Sequence, residues 1–148
     1  MEIKYTKNSI KVALFSQALH HLEKSILLRE KIFQNSKIYN IHQNSQKLSS
    51  ITSFFSDPFI EHHLSLDNIN AKNLLTLEAA VFFSFSPTLE MVSFLQKLRD
   101  QKIKIILIQD NHQFSIHLGS VNSALLRADI VIAASQFEEK FLLNNFKS

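Results

Sequence analysis

Short apolar runs alternate with longer amphipathic stretches along the chain. The run IKVALF at 10–15 reads as a strand, and from 18 to 33 apolar residues recur at Leu19, Leu22, Ile26, Leu27 and Phe33, the spacing of one helix face. KIYNIH at 37–42 reads as a second strand. The stretch 43–70 has no clear period; Asp57-Pro58 marks a turn, and 59–66 contains a short strand. Beyond it the pattern is regular: helix 71–78, strand 80–84, helix 88–100, strand 103–108, helix 120–127, strand 130–134 and helix 137–145.

Strands that are apolar at nearly every position, separated by helices, predict a parallel sheet covered on both faces. The expectation is an α/β chain, an open, doubly wound, mostly parallel Rossmann-like sheet forming a single domain over 1–148. A chain of 148 residues can bury roughly 68–70% of its unfolded surface, enough for a core of its own. Sheets of this kind take ligands beyond the carboxyl ends of their strands. The candidates are therefore Ser16 and Gln17, His42 and Gln43, residues 84–87, residues 109–112, and Ser135.

Composition narrows the chemistry. Cysteine is absent, which removes disulfides and thiolate chemistry and fits a cytoplasmic protein. The net charge of +3 is spread along the chain, where a nucleic-acid footprint needs clustered charge, so no nucleic-acid partner is expected. No apolar run reaches the roughly 18 residues of a membrane span, and MEIKYTKNS lacks a signal-peptide core. Lys4, Lys7 and Lys11 with Lys102 and Lys104 allow at most weak peripheral membrane contact, at about 1 kcal/mol per basic residue. Gly119 is the only glycine. Glycine-rich phosphate loops are thereby excluded, and positive-φ turns must fall on Asn, Asp, Ser or His.

Individual motifs have plain readings beside chemical ones. Ser135 ends the run 130–134 and, with Glu138, forms an S-x-x-E capping box; a helix start at a strand's carboxyl edge is also an anion site. Ser86-Pro87-Thr88 reads as helix initiation with Ser86 as N-cap and Pro87 at the first helical position. Asp110 and His112 form either an acid/base pair after the strand 103–108 or an Asp-Asn turn with an exposed histidine. His20-His21 and His62-His63 lack the i, i+4 spacing of helix-borne metal ligands, so no metal is expected and these histidines are read as solvent-facing or capping. A phosphoacceptor receiver needs an acidic pair after its first strand, and Phe15-Ser16-Gln17 supplies none.

The segment LLRADIVIAASQFEEKFLL resembles the end of the N-terminal, acceptor-side domain of GT-B glycosyltransferases, particularly group-4-like retaining enzymes. There a helix ending in R-A-D leads into an apolar strand, a serine and a further helix. VFFSFSPTLEMVSFLQKLRDQKIKIILIQDNH resembles the preceding strand, helix and strand of that domain. The likeness covers 80–146 closely and 10–42 by pattern only.

The resemblance implies an acceptor-side, glycosyltransferase-like domain acting with a separate donor-binding domain or partner, or as a homo-oligomer. It implies no cofactor, with a sugar nucleotide as possible substrate. Contacts would come from Gln17, Ser86, Gln109 and Ser135, with Asp110 and His112 as catalytic candidates. Three departures stand against it. The family's His-Asp pair is Gln109-Asp110 here, its glycine-containing first loop is Ser16-Gln17-Ala18, and the second domain with its E-x7-E motif is absent from 1–148. The alternative is a noncatalytic α/β interaction module derived from such a domain.

Overall fold

A computed structural model of the chain describes residues 11–17, 19–42, 57–83, 88–109, 127–133 and 140, without the side chains of residues 19, 20 and 109. Six strands form one sheet: β1 (Val12–Gln17), β2 (Lys37–Ile41), β3 (Ile60–His63), β4 (Ala79–Phe83), β5 (Lys104–Gln109) and β6 (Ile130–Ala133). Their order is β3-β2-β1-β4-β5-β6 and every pairing is parallel. Helix α1 (Leu19–Lys31) connects β1 to β2, and α2 (Leu89–Asp100) connects β4 to β5.

The two helices cover opposite faces. Leu22 of α1 is buried with Val12, Leu14, Ile38, Ile60, Val81 and Phe83 of the sheet. On the other face Met91, Phe94, Leu95 and Leu98 of α2 pack against Ala13, Phe15, Tyr39, Phe82, Ile105 and Leu107. Alternate residues of the central strands thus enter separate cores, which is why these strands are apolar throughout. The fold is doubly wound and Rossmann-like, as the alternation of apolar runs predicts.

On the α2 face the parallel register sets Tyr39, Phe15 and Phe82 side by side. Phe15 stacks on Phe82 at 4.5 Å and on Tyr39 at 5.1 Å, and Phe94 meets Phe15 edge-on at 5.5 Å. Such pairs add to simple area burial because ring edges and faces carry opposite partial charge.

Several boundaries differ from the sequence expectation. β1 begins two residues later than position 10 and runs to Gln17, so Ser16 lies inside the strand. The helix expected over 71–78 is a 3-10 turn, Ala71–Asn73. Asn73, Leu74 and Leu77 each donate to the carbonyl three residues back, and the Asn70 side chain accepts from the Lys72 N–H. Eight residues with Asn and Thr among them do not outweigh the cost of nucleating a free α-helix before β4 begins. The strand expected over 59–66 shortens to Ile60–His63, followed by a second 3-10 turn, Leu66–Asn68.

Helix α2 starts one residue later than expected because its N-cap is Thr88, whose Oγ1 accepts from the Met91 N–H at 3.2 Å. This corrects the assignment of the cap to Ser86. At the other end Lys102 adopts φ 61°, its N–H donates to the Arg99 carbonyl, and the Ile103 N–H donates to the Leu98 carbonyl. That is a Schellman ending with lysine where glycine is usual. Asn35, at φ 67°, serves the turn before β2. Positive φ therefore falls on asparagine as expected, and also on a lysine, which was not. The helices expected over 120–127 and 137–145 lie almost wholly outside the described residues, where only Arg127 and Lys140 are helical.

Candidate functional site

Strand order reverses between β1 and β4: the chain builds outward through β2 and β3, then returns to β1's other side for β4, β5 and β6. α1, which follows β1, and α2, which follows β4, pack on opposite faces, so this reversal is the switch point beside which doubly wound sheets bind ligands. Gln17 is the last residue of β1 and half-buried, and Gln109 is the last residue of β5. Gln43, residues 84–87 with Ser86, Asp110, His112 and Ser135 lie outside the described residues.

Beside this switch point, the α1 face of the sheet turns polar. Ser16, Asn40 and His62 are cross-strand neighbours on β1, β2 and β3. Ser16 and Asn40 are fully buried and His42 nearly so. Ser16 Oγ donates to Asn40 Oδ1 at 2.8 Å, and the Asn40 amide nitrogen meets His42 Nε2. With the amide in this orientation His42 Nε2 accepts, so the proton of the neutral ring sits on Nδ1. Ser16 is therefore an internal link, not the ligand contact its position in the sequence suggested.

The His42 and His62 rings stack at 5.7 Å. Burial, followed by the neighbouring His63, holds the His62 pKa below its ordinary value of 6.5, so the ring is neutral at pH 7. Both His62 ring nitrogens are shielded from solvent and have no hydrogen-bond partner among the described residues. From α1, buried His21 and Ser25 add further polar groups to this face. The expectation of solvent-facing or capping histidines is thus corrected: His21 and His42 are buried, and His62 and His63 are half-buried. Two of them lie on β3, and burial there follows from strand pairing that single-sequence spacing does not reveal.

On the opposite face of β3, Glu61 joins Lys37 and His63; its Oε1 lies 3.0 Å from His63 Nε2 and its Oε2 pairs with Lys37 Nζ. Burial pushes the Glu61 carboxyl up, and the hydrogen bonds from Lys37 and His63 outweigh it, leaving the pKa below 4.5. Among the described residues no three His, Asp or Glu side chains gather in a way that would hold a metal ion.

The residues behind the GT-B resemblance have structural tasks. The Asp129 N–H donates to the Ile105 carbonyl at 2.9 Å, and Asp129 Oδ2 accepts from the Ile105 N–H at 2.8 Å. Arg127 Nε donates to Gln96 Oε1 at 2.9 Å, and Arg99 donates to the Arg127 carbonyl at 3.1 Å. The R-A-D step thus fastens the entry of β6 to β5 and α2.

Sequence reasoning listed His42 but missed Asn40, Glu61 and His62 as site residues. A signal for Asn40 was present: an amide inside the apolar run KIYNI of a strand buried on both faces requires a buried partner.

These features define an α/β domain built on a doubly wound, all-parallel sheet. No protein-family model matches the chain, and a search of curated proteins finds no match either. Among the described residues no helix is long and apolar enough to cross a membrane.

Proposed function

We propose that this chain supplies the acceptor-side half of a glycosyl-transfer site. It binds a hydroxyl-rich ligand at the carboxyl edge of β1, β2, β4 and β5, and a donor-binding domain or partner completes the site. The observation that carries this reading is the strand reversal between β1 and β4, flanked by the buried line Ser16–Asn40–His42. A buried polar line costs stability unless every member is satisfied, and a sheet that served only as a scaffold has no need of it. Hydroxyl groups suit such an edge because each both donates and accepts, as do Gln17 and a neutral imidazole.

A surface built to meet a second domain should be less polar than its surroundings. On β6, Ile130, Val131 and Ile132 are 53%, 37% and 46% exposed. A second reading, a noncatalytic interaction module, is favoured by the R-A-D step, whose residues are engaged in holding β6 and need no ligand to explain them.

Calorimetric titration with a panel of sugar nucleotides, free nucleotides and simple glycosides tests the two readings. The transfer reading expects a saturable response to a glycoside or sugar nucleotide that Gln17→Ala weakens at unchanged melting temperature. Absence of response to the whole panel, with and without donor-domain proteins, favours the noncatalytic module.

A further inference from the structure

A cavity of about 450 Å³ opens at the opposite, amino edge of the sheet, between the starts of β1 and β2 and the segment 72–77. This volume lies within the range of small-molecule sites, roughly 300–1,000 Å³. Lys11, Lys37 and Lys72 line it together with Asn35, Asn73 and Tyr39.

The charges there do not cancel. Lys37 is paired with Glu61, which also serves His63. Lys11 and Lys72 have no carboxylate partner among the described residues. Asp57, ahead of β3, is held by Arg29 at 2.5 Å. Glu78, tied to Lys11 through its backbone N–H, does not line the cavity. Two positive charges therefore face the same space.

Tyr39 supplies an independent observation. It is 1% exposed, its ring is fixed by Phe15 and by Lys37 Nζ at 5.7 Å, and its hydroxyl makes no hydrogen bond among the described residues. A hydroxyl that lines a cavity without a partner in the protein is free to donate to a ligand there. Burial and then the charge of Glu61 push its pKa up to about 12, so it remains a donor at neutral pH.

We propose that this cavity is a second binding site, separate from the carboxyl-edge site, that takes a phosphoryl group. Lys11 and Lys72 balance its charge, and the Tyr39 hydroxyl donates to one of its oxygens. A doubly charged tetrahedral anion matches two lysines as a monoanionic carboxylate does not. The volume leaves room for a diphosphate or a phosphate ester.

The test is titration of the full chain with inorganic diphosphate, followed by calorimetry and phosphorus NMR. In parallel, sedimentation with phosphatidylcholine vesicles, with and without phosphatidic acid, separates a free phosphate from a lipid headgroup. Saturable binding should weaken by roughly a hundredfold in Lys11→Gln/Lys72→Gln and roughly tenfold in Tyr39→Phe, one charge-assisted hydrogen bond being about tenfold in affinity. The control Lys31→Gln/Lys97→Gln should match wild type. Diphosphate binding with these losses assigns a soluble ligand; vesicle binding alone with the same losses assigns a headgroup. No binding in either arm, or equal losses in the control, overturns the proposal. Tyr39→Phe removes no described hydrogen bond, so its fold, checked by circular dichroism, stays intact.

Discussion

Replacing Asn40 by alanine strands two buried groups at once, the Ser16 hydroxyl and His42 Nε2. Each unsatisfied group costs about 1–3 kcal/mol. Asn40→Ala should therefore destabilise the chain by about 2–6 kcal/mol in urea denaturation, with Ser16→Ala costing clearly less because it leaves the Asn40–His42 contact in place. His62 makes a second prediction at this scale. Its pKa is lowered in the folded chain, so between that value and 6.5 the unfolded chain holds more protons and stability rises with pH. As pH falls through 6.5 His62 withdraws stability, and the loss is complete below its folded pKa. Asp57, lowered chiefly by the hydrogen bond from Arg29, and Glu61 act later, losing their contributions as pH falls from 3.8 and 4.5 through their folded values. The acid-denaturation profile should show an early step starting near pH 6.5 that His62→Gln removes and a later carboxylate step that it leaves. An unchanged early step would mean that His62 titrates as it does in the unfolded chain.

At the level of elements, the ends of α2 make the sharpest predictions. Thr88→Ala removes the cap to Met91 and should cost about 1 kcal/mol. Lys102→Gly should do the reverse and stabilise by about 1 kcal/mol, because lysine pays the left-handed penalty that glycine avoids. Paired thermal melts of the two variants check both signs; a destabilised Lys102→Gly would refute the reading of this ending. Elements with a continuous apolar run were legible in the sequence: all six strands start within two residues of their predicted starts, and for β1, β2, β4 and β5 the run is unambiguous because it is buried on both faces. The piece at 71–78 was not, since its leucines fit a helix face while its capping Asn70 and three-residue bonding select a 3-10 turn. β3 was legible only in outline, because an edge strand carrying Glu61, His62 and His63 lacks the apolar run that marks its neighbours.

Across the whole molecule, the sheet separates two kinds of chemistry. Its carboxyl edge gathers polar groups, Ser16, Asn40, His42 and Gln17, beside the strand reversal. Its amino edge gathers lysines around Tyr39. The alternation of runs put Ser16, Gln17 and His42 at the carboxyl edge but gave no sign of Asn40 and His62 beside them. Asn40 and His62 reach the site through parallel register between strands 22 residues apart in sequence, and no local pattern encodes that pairing. The amino-edge cavity was illegible for a related reason: Lys11, Lys37 and Lys72 look like scattered surface charge until β1 and β2 bring them together. The measurement to make is a backbone amide NMR titration of the chain with a simple glycoside and a sugar nucleotide. Acceptor-side function predicts saturable shifts concentrated at Gln17, His42 and Gln109, at the carboxyl ends of β1, β2 and β5, with β6 silent. Shifts confined to the amino edge, or none at saturating ligand, would contradict it.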